Sequence, residues 1–477
     1  MSLVSGRPVP IAAGVPAAAL APRAARSGAA AAALFLLVLL DAAWWARAIP
    51  ENGAPDEYEH IATQRFVAER GRLPSFGEGR FRIHLMDSVC RVPIDPSIVQ
   101  GRMIFPAGTE IHPAHRYEVR QPYLFWPQPA HLIAGTLQRV TGGFSLWKAR
   151  AISSCWVAAA AVLIFLAALR LWPDRLALAS LAGVTFGLWP QVTFVGAYVN
   201  DDAPALATTA LLLLVCTLLE TDGVSTGRNA ALGLALGLVA LSKPYACAVL
   251  PLVGFWIIRS SATQGKGAVR SFLLSGAVAL AVVGAWFLFA EPPHASGVPG
   301  GGTRSAALQD FTAALPPDLA GQTTLLETGS MLRTGRGILE FPLIAWLLPS
   351  LFSLYGAFGW MDEPLPLLIY ALAALVFSIS LAGHLIGGPD RRPPALRLPF
   401  LFSFPLLAIG GLLSFWHSYA VDFQPQGRYL LPSVSGLSML AAAGAVAFTG
   451  RLGLWAPALL AAFVTGANLL ARLAVLR

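Results

Sequence analysis

Apolar runs of about twenty residues recur from one end of the chain to the other, and nothing else in the sequence restricts the fold as tightly. A run of that length crosses the hydrocarbon of a bilayer as one α-helix, the element that satisfies all its own backbone groups in lipid. The first run is Gly28 to Ala48. Others follow at Leu146 to Leu171, up to Trp189, Ala203 to Leu219, Ala230 to Ser242, Pro244 to Ile258, Ser271 to Ala290, Pro364 to Ile386, Leu398 to Trp416, Tyr429 to Thr449 and Gly453 to Ala471. Only 12% of the 477 residues are charged, about half the share of a soluble chain. The expected fold is an all-α polytopic membrane protein with about 11–13 transmembrane helices.

Between the runs lie two long polar segments. Residues 49–145 form the first, expected to be partly helical with interfacial helices, and residues 291–337 the second. Residues 1–27, rich in Pro, Ala and Gly with scattered Arg, read as a disordered cytoplasmic tail before an uncleaved first helix at 28–48. Residues 146–290 hold helices 2–7. Residues 338–477 hold a Pro- and Gly-interrupted, re-entrant piece and the last helices. The short loops with Arg170, Arg175, Arg228, Arg259, Lys266, Arg270, Arg391, Arg392, Arg397 and Arg451 belong inside, against Lys243 and Arg428 opposite. Both long segments are then extracytoplasmic, and in a bacterium the membrane is the inner one. The net charge of +8 is not gathered into a basic domain, so nucleic acid is not an expected partner. Of four cysteines three lie in apolar runs, and no metal-ligand spacing is present.

Directly after the first run comes Pro55-Asp-Glu-Tyr-Glu-His60. Pro55 and Asp56 predict a helix start, with Asp56 as side-chain cap and a stop at Gly71. Tyr58, Ile61, Ala62 and Phe66 share a face, as in a helix resting on the bilayer surface. Further charges abut the runs on the same side: Asp201 and Asp202, Lys243, and Arg428; Asp41 lies inside the first run. Ionisable groups at membrane depth usually face a polar cavity. Acids beside cations suit a reaction in which a carboxylate activates a hydroxyl while cations hold a phosphate.

These segments, in order, resemble the motifs of GT-C glycosyltransferases, membrane enzymes that use polyprenyl-phosphate sugars and include protein mannosyltransferases and the aminoarabinose transferase of lipid A. Gly53-Ala-Pro-Asp-Glu-Tyr-Glu-His60 with Glu69-Arg-Gly-Arg-Leu-Pro74 is similar to their first outer loop. Arg120-Gln-Pro-Tyr-Leu-Phe-Trp126 resembles a second loop motif, with Tyr123 where a second Pro is expected. Tyr198-Val-Asn-Asp-Asp-Ala203 resembles their acidic turn and Leu241-Ser-Lys-Pro244 their Thr-Lys-Pro turn. Gln426-Gly-Arg-Tyr-Leu-Leu-Pro432 resembles a motif of an uncharacterised multi-pass bacterial family grouped with them.

The resemblance implies Asp56 as general base, Glu57 as second acid and Asp201 as a third catalytic acid. It also implies inversion at the sugar. By charge type and by side Arg428 and Lys243 are candidates for the donor phosphate, with Arg120 a third, and Gln121, Asp202 and Gln426 join them as expected substrate-binding residues. The implied partners are a polyprenyl-phosphate-linked sugar, membrane lipid and an extracytoplasmic glycan, lipid or protein acceptor. No cofactor is assigned; a divalent metal stays open, with Glu118 and His294 loosely placed for one. Two other functions compete: a transporter or flippase, which lacks the expected internal repeat, and a non-catalytic part of an envelope polysaccharide system.

Overall fold

The computed structural model describes residues 17–51, 53–74, 80–84, 116–120, 127–264, 267–289, 337–359, 361, 363–386, 396–420, 423–449 and 455–475. Helix α1, Ala17–Ala48, begins before the expected start at Gly28. After α2 (Glu57–Arg70) come a two-stranded antiparallel ribbon, β1 (Arg80–His84) and β2 (Arg116–Arg120), and helix α3 (Pro129–Val140). The first long segment therefore holds strands as well as helices. Then follow α4 (Leu146–Leu171), α5 (Leu176–Gly187), α6 (Pro190–Ala197), α7 (Asp202–Asp222) and α8 (Thr226–Ser242). A 3-10 turn, Pro244–Ala248, leads to α9 (Val249–Gln264) and α10 (Gly267–Phe289).

The interrupted piece is a short helix α11, Leu343–Tyr355, followed by a small hairpin of β3 (Ala357–Phe358) and β4 (Glu363–Pro364). Helices α12 (Leu367–Ile386), α13 (Arg397–Leu401) and α14 (Phe404–Ala420) precede a 3-10 segment, Gly427–Ser433, which contains Pro432. Helices α15 (Val434–Thr449) and α16 (Trp455–Val475) close the chain. Among the described residues six helices are long and apolar enough to cross a membrane, and the α5–α6 pair makes a seventh span bent by 60° at Pro190. Four shorter apolar helices accompany them. The chain is an integral membrane protein.

Lipid offers no hydrophobic gain for joining helices, so contact rests on small residues and hydrogen bonds. Ala158, Ala160, Ala161, Ala167 and Ala168 are fully buried on α4, which packs against α1, α5 and α7. Helices α12 and α15 cross where a Cβ on Gly444 would stand 1.7 Å from the Ser380 carbonyl oxygen, so only glycine fits. The α5–α6 break leaves carbonyls unpaired within the bundle. Asn468 of α16 donates to the Leu188 carbonyl at 3.1 Å, and Thr193 donates to that of Gly187 at 2.9 Å. Asn468 also donates to Asp41 at 3.0 Å, and Asp41 pairs with Arg472 at 2.6 Å. The intramembrane acid of α1 is thus balanced by a cation on α16.

Candidate functional site

Helix α2 ends as expected, with Gly71 left-handed (φ 77°) and its N–H on the Val67 carbonyl. Its start differs. Asp56 occupies the N-cap position with φ 62°, a left-handed conformation rare for a non-glycine residue, and its side chain makes no cap hydrogen bond. The carboxylate instead accepts a hydrogen bond from Arg428 Nη2 at 2.9 Å. The face α2 buries is largely polar, with Glu57, His60, Gln64 and Val67 all inside. Through this polar face α2 packs against α3 and reaches α4. Hydrogen-bonding partners on α3 and α4 permit that burial.

One of these partners is Arg150 on α4, which sequence reasoning did not single out. Its Nε and Nη2 grip the two oxygens of Glu57 at 2.8 and 2.7 Å. The remaining N–H groups donate to the carbonyls of Ala46, Ile49 and Pro50 at 2.7–2.8 Å. All five guanidinium donors are used. Arg150 therefore closes the C-terminal end of α1, where a cation is favoured, and ties it to α2. Glu57, fully buried, also accepts from the Val199 N–H at 3.1 Å.

The acidic turn is shaped by Asn200. Its amide nitrogen donates to the carbonyls of Val195 and Tyr198, and its Oδ1 accepts from the Ala203 N–H at 2.8 Å. That leaves Asp201 and Asp202 side chains for long-range partners. Arg428 Nη1 lies 3.9 Å from Asp202 Oδ2. Lys243, at the break between α8 and the 3-10 turn, bonds Asp202 at 2.5 Å and also contacts Asp201. Tyr245 donates to Asp202 as well. His60 Nε2 stands 3.8 Å from Asp201, and the His60 N–H returns to the Asp56 carbonyl at 3.3 Å.

Asp56, Arg428, Asp202, Lys243 and Asp201 thus alternate in charge, and His60 follows Asp201, completing the ring only through its backbone N–H on the Asp56 carbonyl. The ring is built from α2, the α6–α7 turn, the α8 break and the 3-10 segment. Burial alone would raise Asp201, but Lys243 and then His60 hold its carboxyl well below the usual carboxylate range. Burial lowers His60 against the pull of Asp201.

Gly427 explains how Arg428 reaches the ring. A Cβ there would stand 2.1 Å from the Leu354 nitrogen and 2.2 Å from the Ser350 oxygen, so the Gln-Gly-Arg segment lies directly on α11. The Gly427 N–H donates to Ser353 at 2.6 Å. Gln426 is buried, and its Oε1 has no partner among the described residues; the same holds for Arg428 Nε.

Of the remaining expected residues, Arg120 ends β2 opposite Arg80, and Gln121 lies outside the described residues. Glu118 sits in β2 opposite Arg82, and His294 is outside the described residues. Among the described residues no group of three or more His, Cys, Asp or Glu is arranged to hold a metal ion. The carboxylates of Asp201 and Asp202 converge on the Lys243 ammonium instead.

No family model matches the chain, and no curated protein sequence does. Solved structures do. ArnT from Cupriavidus metallidurans bound to undecaprenyl phosphate is similar over 93% of this chain and 76% of that one, with 15% identity and a TM-score of 0.50. The archaeal oligosaccharyltransferase AglB from Archaeoglobus fulgidus, in complex with an inhibitory peptide and a dolichol-phosphate, is more loosely similar. There the TM-score is 0.49 and the identity 13%, over 93% of this chain and 56% of that one. At 15% identity the likeness to ArnT is one of fold, and it is the fold that the motifs led us to expect.

Proposed function

We propose that the chain is a membrane glycosyltransferase that moves a sugar from a polyprenyl-phosphate donor to a hydroxyl-bearing acceptor on the extracytoplasmic side, with inversion. One observation carries the reading: acids and cations from four separate stretches meet in one ring, with Asp56 on Arg428 at 2.9 Å. The fold shared with a structure bound to undecaprenyl phosphate supports the class of donor.

In this reading Asp56 takes the acceptor proton as the acceptor oxygen attacks the anomeric carbon. The bond from that carbon to the phosphate oxygen breaks on the opposite face, and the electron pair leaves on the phosphate. Arg428 meets the phosphate, because its Nε is uncommitted and a guanidinium fork suits phosphate oxygens. Lys243, already shared between Asp201 and Asp202, holds the acidic turn in place. Glu57, locked to Arg150, positions the turn that carries Asp56. A transporter would bind the same lipid yet return it unchanged.

The test is to incubate the purified chain in membranes with undecaprenyl-phosphate-linked radiolabelled sugars and an acceptor-rich envelope extract. Labelled product with release of undecaprenyl phosphate is expected. Translocation of intact donor without transfer would replace the enzyme with a flippase.

A further inference from the structure

His131 lies buried on α3 and takes no part in the ring described above; it is 1% exposed. Its ring stacks on that of His60, with centroids 4.7 Å apart. A file of hydrogen bonds runs to it from the loop between α3 and α4. The Ser145 backbone N–H donates to Gln138 Oε1 at 2.9 Å. A backbone N–H can only donate, so the other Gln138 atom must be the amide nitrogen, which donates to Gln64 Oε1 at 3.1 Å. Gln64 therefore presents its own nitrogen to His131 Nδ1 at 3.0 Å.

Each bond fixes the next, and the last makes His131 Nδ1 an acceptor. A neutral imidazole carries one proton, which must then sit on Nε2. Burial, with His60 adding to it, lowers the pKa of His131 to about 3, so the ring is neutral. The Nε2–H is left with no acceptor among the described residues. Buried donors of this kind are ordinarily satisfied. The charges acting on this imidazole are those of the ring, Asp201 and Lys243.

We infer that the Nε2–H of His131 is a preset donor for a sugar hydroxyl of the glycosyl group, making His131 a specificity-determining residue. The inference rests on the glycosyl-donor reading above. A neutral N–H in the field of the Asp201 carboxylate fits a hydroxyl, which accepts from the imidazole and keeps a proton of its own to donate. A phosphate oxygen has no proton to give and is repelled by that carboxylate. The direction of the hydrogen-bond file, from Ser145 inward, keeps the imidazole from switching tautomer, so it can offer only a donor.

The experiment titrates the full chain in nanodiscs with undecaprenyl phosphate and separately with its glucosyl, galactosyl and mannosyl esters. At least one ester should bind wild type about tenfold more tightly than the bare lipid, the scale of one hydrogen bond to a buried polar group. His131→Leu should erase that increment. His131→Gln, whose amide N–H reaches the Nε2 position, should keep most of it, and His131→Asn, whose amide falls at the Nδ1 position, should not. If His131→Leu does not fold, the Gln and Asn pair carries the comparison. In ¹⁵N-histidine-labelled protein the Nε2–H resonance of His131 should shift with the ester and not with the bare lipid. Equal increments in wild type, Leu and Asn variants overturn the inference, as does the lack of any increment in wild type. Failure of undecaprenyl phosphate itself to bind overturns the donor reading instead.

Discussion

Asp56 and Arg428 stand 2.9 Å apart although 372 positions separate them in the chain. The contact joins the first polar segment to the Gln-Gly-Arg turn near the C-terminus. It also turns Asp56 away from the helix it would otherwise cap. Left-handed backbone at a non-glycine residue costs about 1–3 kcal/mol and persists where surrounding structure over-determines it. Here the over-determination comes from both sides, through Arg150 on Glu57 and Arg428 on Asp56 itself.

Asp56→Asn keeps the size and hydrogen bonding of the side chain but cannot take a proton. Sugar transfer should fall by about 100- to 10,000-fold, the range of general-base catalysis, while undecaprenyl phosphate still binds. Near wild-type transfer by this variant would move the base to Asp201.

Glu57→Gln should act on stability. It leaves the fully buried Arg150 guanidinium without its anionic partner, a change worth about 3–5 kcal/mol when a buried pair is broken. A lower melting temperature is expected, with the pH profile of residual transfer unchanged. A variant that melts like wild type yet fails to transfer would give Glu57 a direct chemical part.

Arg428→Ala should weaken undecaprenyl phosphate binding by roughly 10- to 100-fold, since hydrogen bonds to charged groups are worth about 1.5–3 kcal/mol. Arg428→Lys should recover only part of this, because an ammonium lacks the fork. Unchanged affinity in the alanine variant would make Arg428 a purely structural partner of Asp56.

Gly427→Ala should do nearly the same from one residue away. A methyl group there collides with the backbone of Leu354 and Ser350, and overpacking costs about 1–3 kcal/mol. Both the melting temperature and undecaprenyl phosphate binding should drop. Gly411→Ala, with nothing within 4 Å of the added carbon, is the matched control and should behave as wild type.

His131 also predicts a pH dependence. Its folded pKa of about 3 lies below the ordinary value of 6.5. Between those values the unfolded chain binds a proton that the folded chain refuses, so stability falls as pH drops from about 6.5 toward 3 and is flat above. The melting temperature measured across that window should decline, and His131→Gln should decline less. Parallel curves would show that other groups dominate.

Much of this was legible because the bilayer demands long apolar helices and because charge interrupting them is costly. Asp56, Asp201, Asp202, Lys243 and Arg428 were each visible as charges at helix ends, and the structure brings all five together. The pairings were not legible. Arg150 sits inside the apolar run of α4 as one Arg among alanines, and nothing local shows that its partners are Glu57 and three carbonyls of another helix. Helix α3 was signalled by Pro129 at its start and by Gly142 and Gly143 after its end, yet the polar segment around it masked the pattern. His131 needed the most structure, since its tautomer depends on two glutamines from different helices. The break at Pro190 was also readable; that Asn468 mends it was not.

Arg150 has no donor left to give. Its grip on Glu57, Ala46, Ile49 and Pro50 makes the turn bearing Asp56 a fixed anvil, bolted to two membrane helices. The opposite jaw, Gly427–Ser433, meets that turn through the Asp56–Arg428 pair. In the reading proposed above, a lipid phosphate would take the place of the Asp56 carboxylate on the Arg428 guanidinium while the turn held by Arg150 stays where it is.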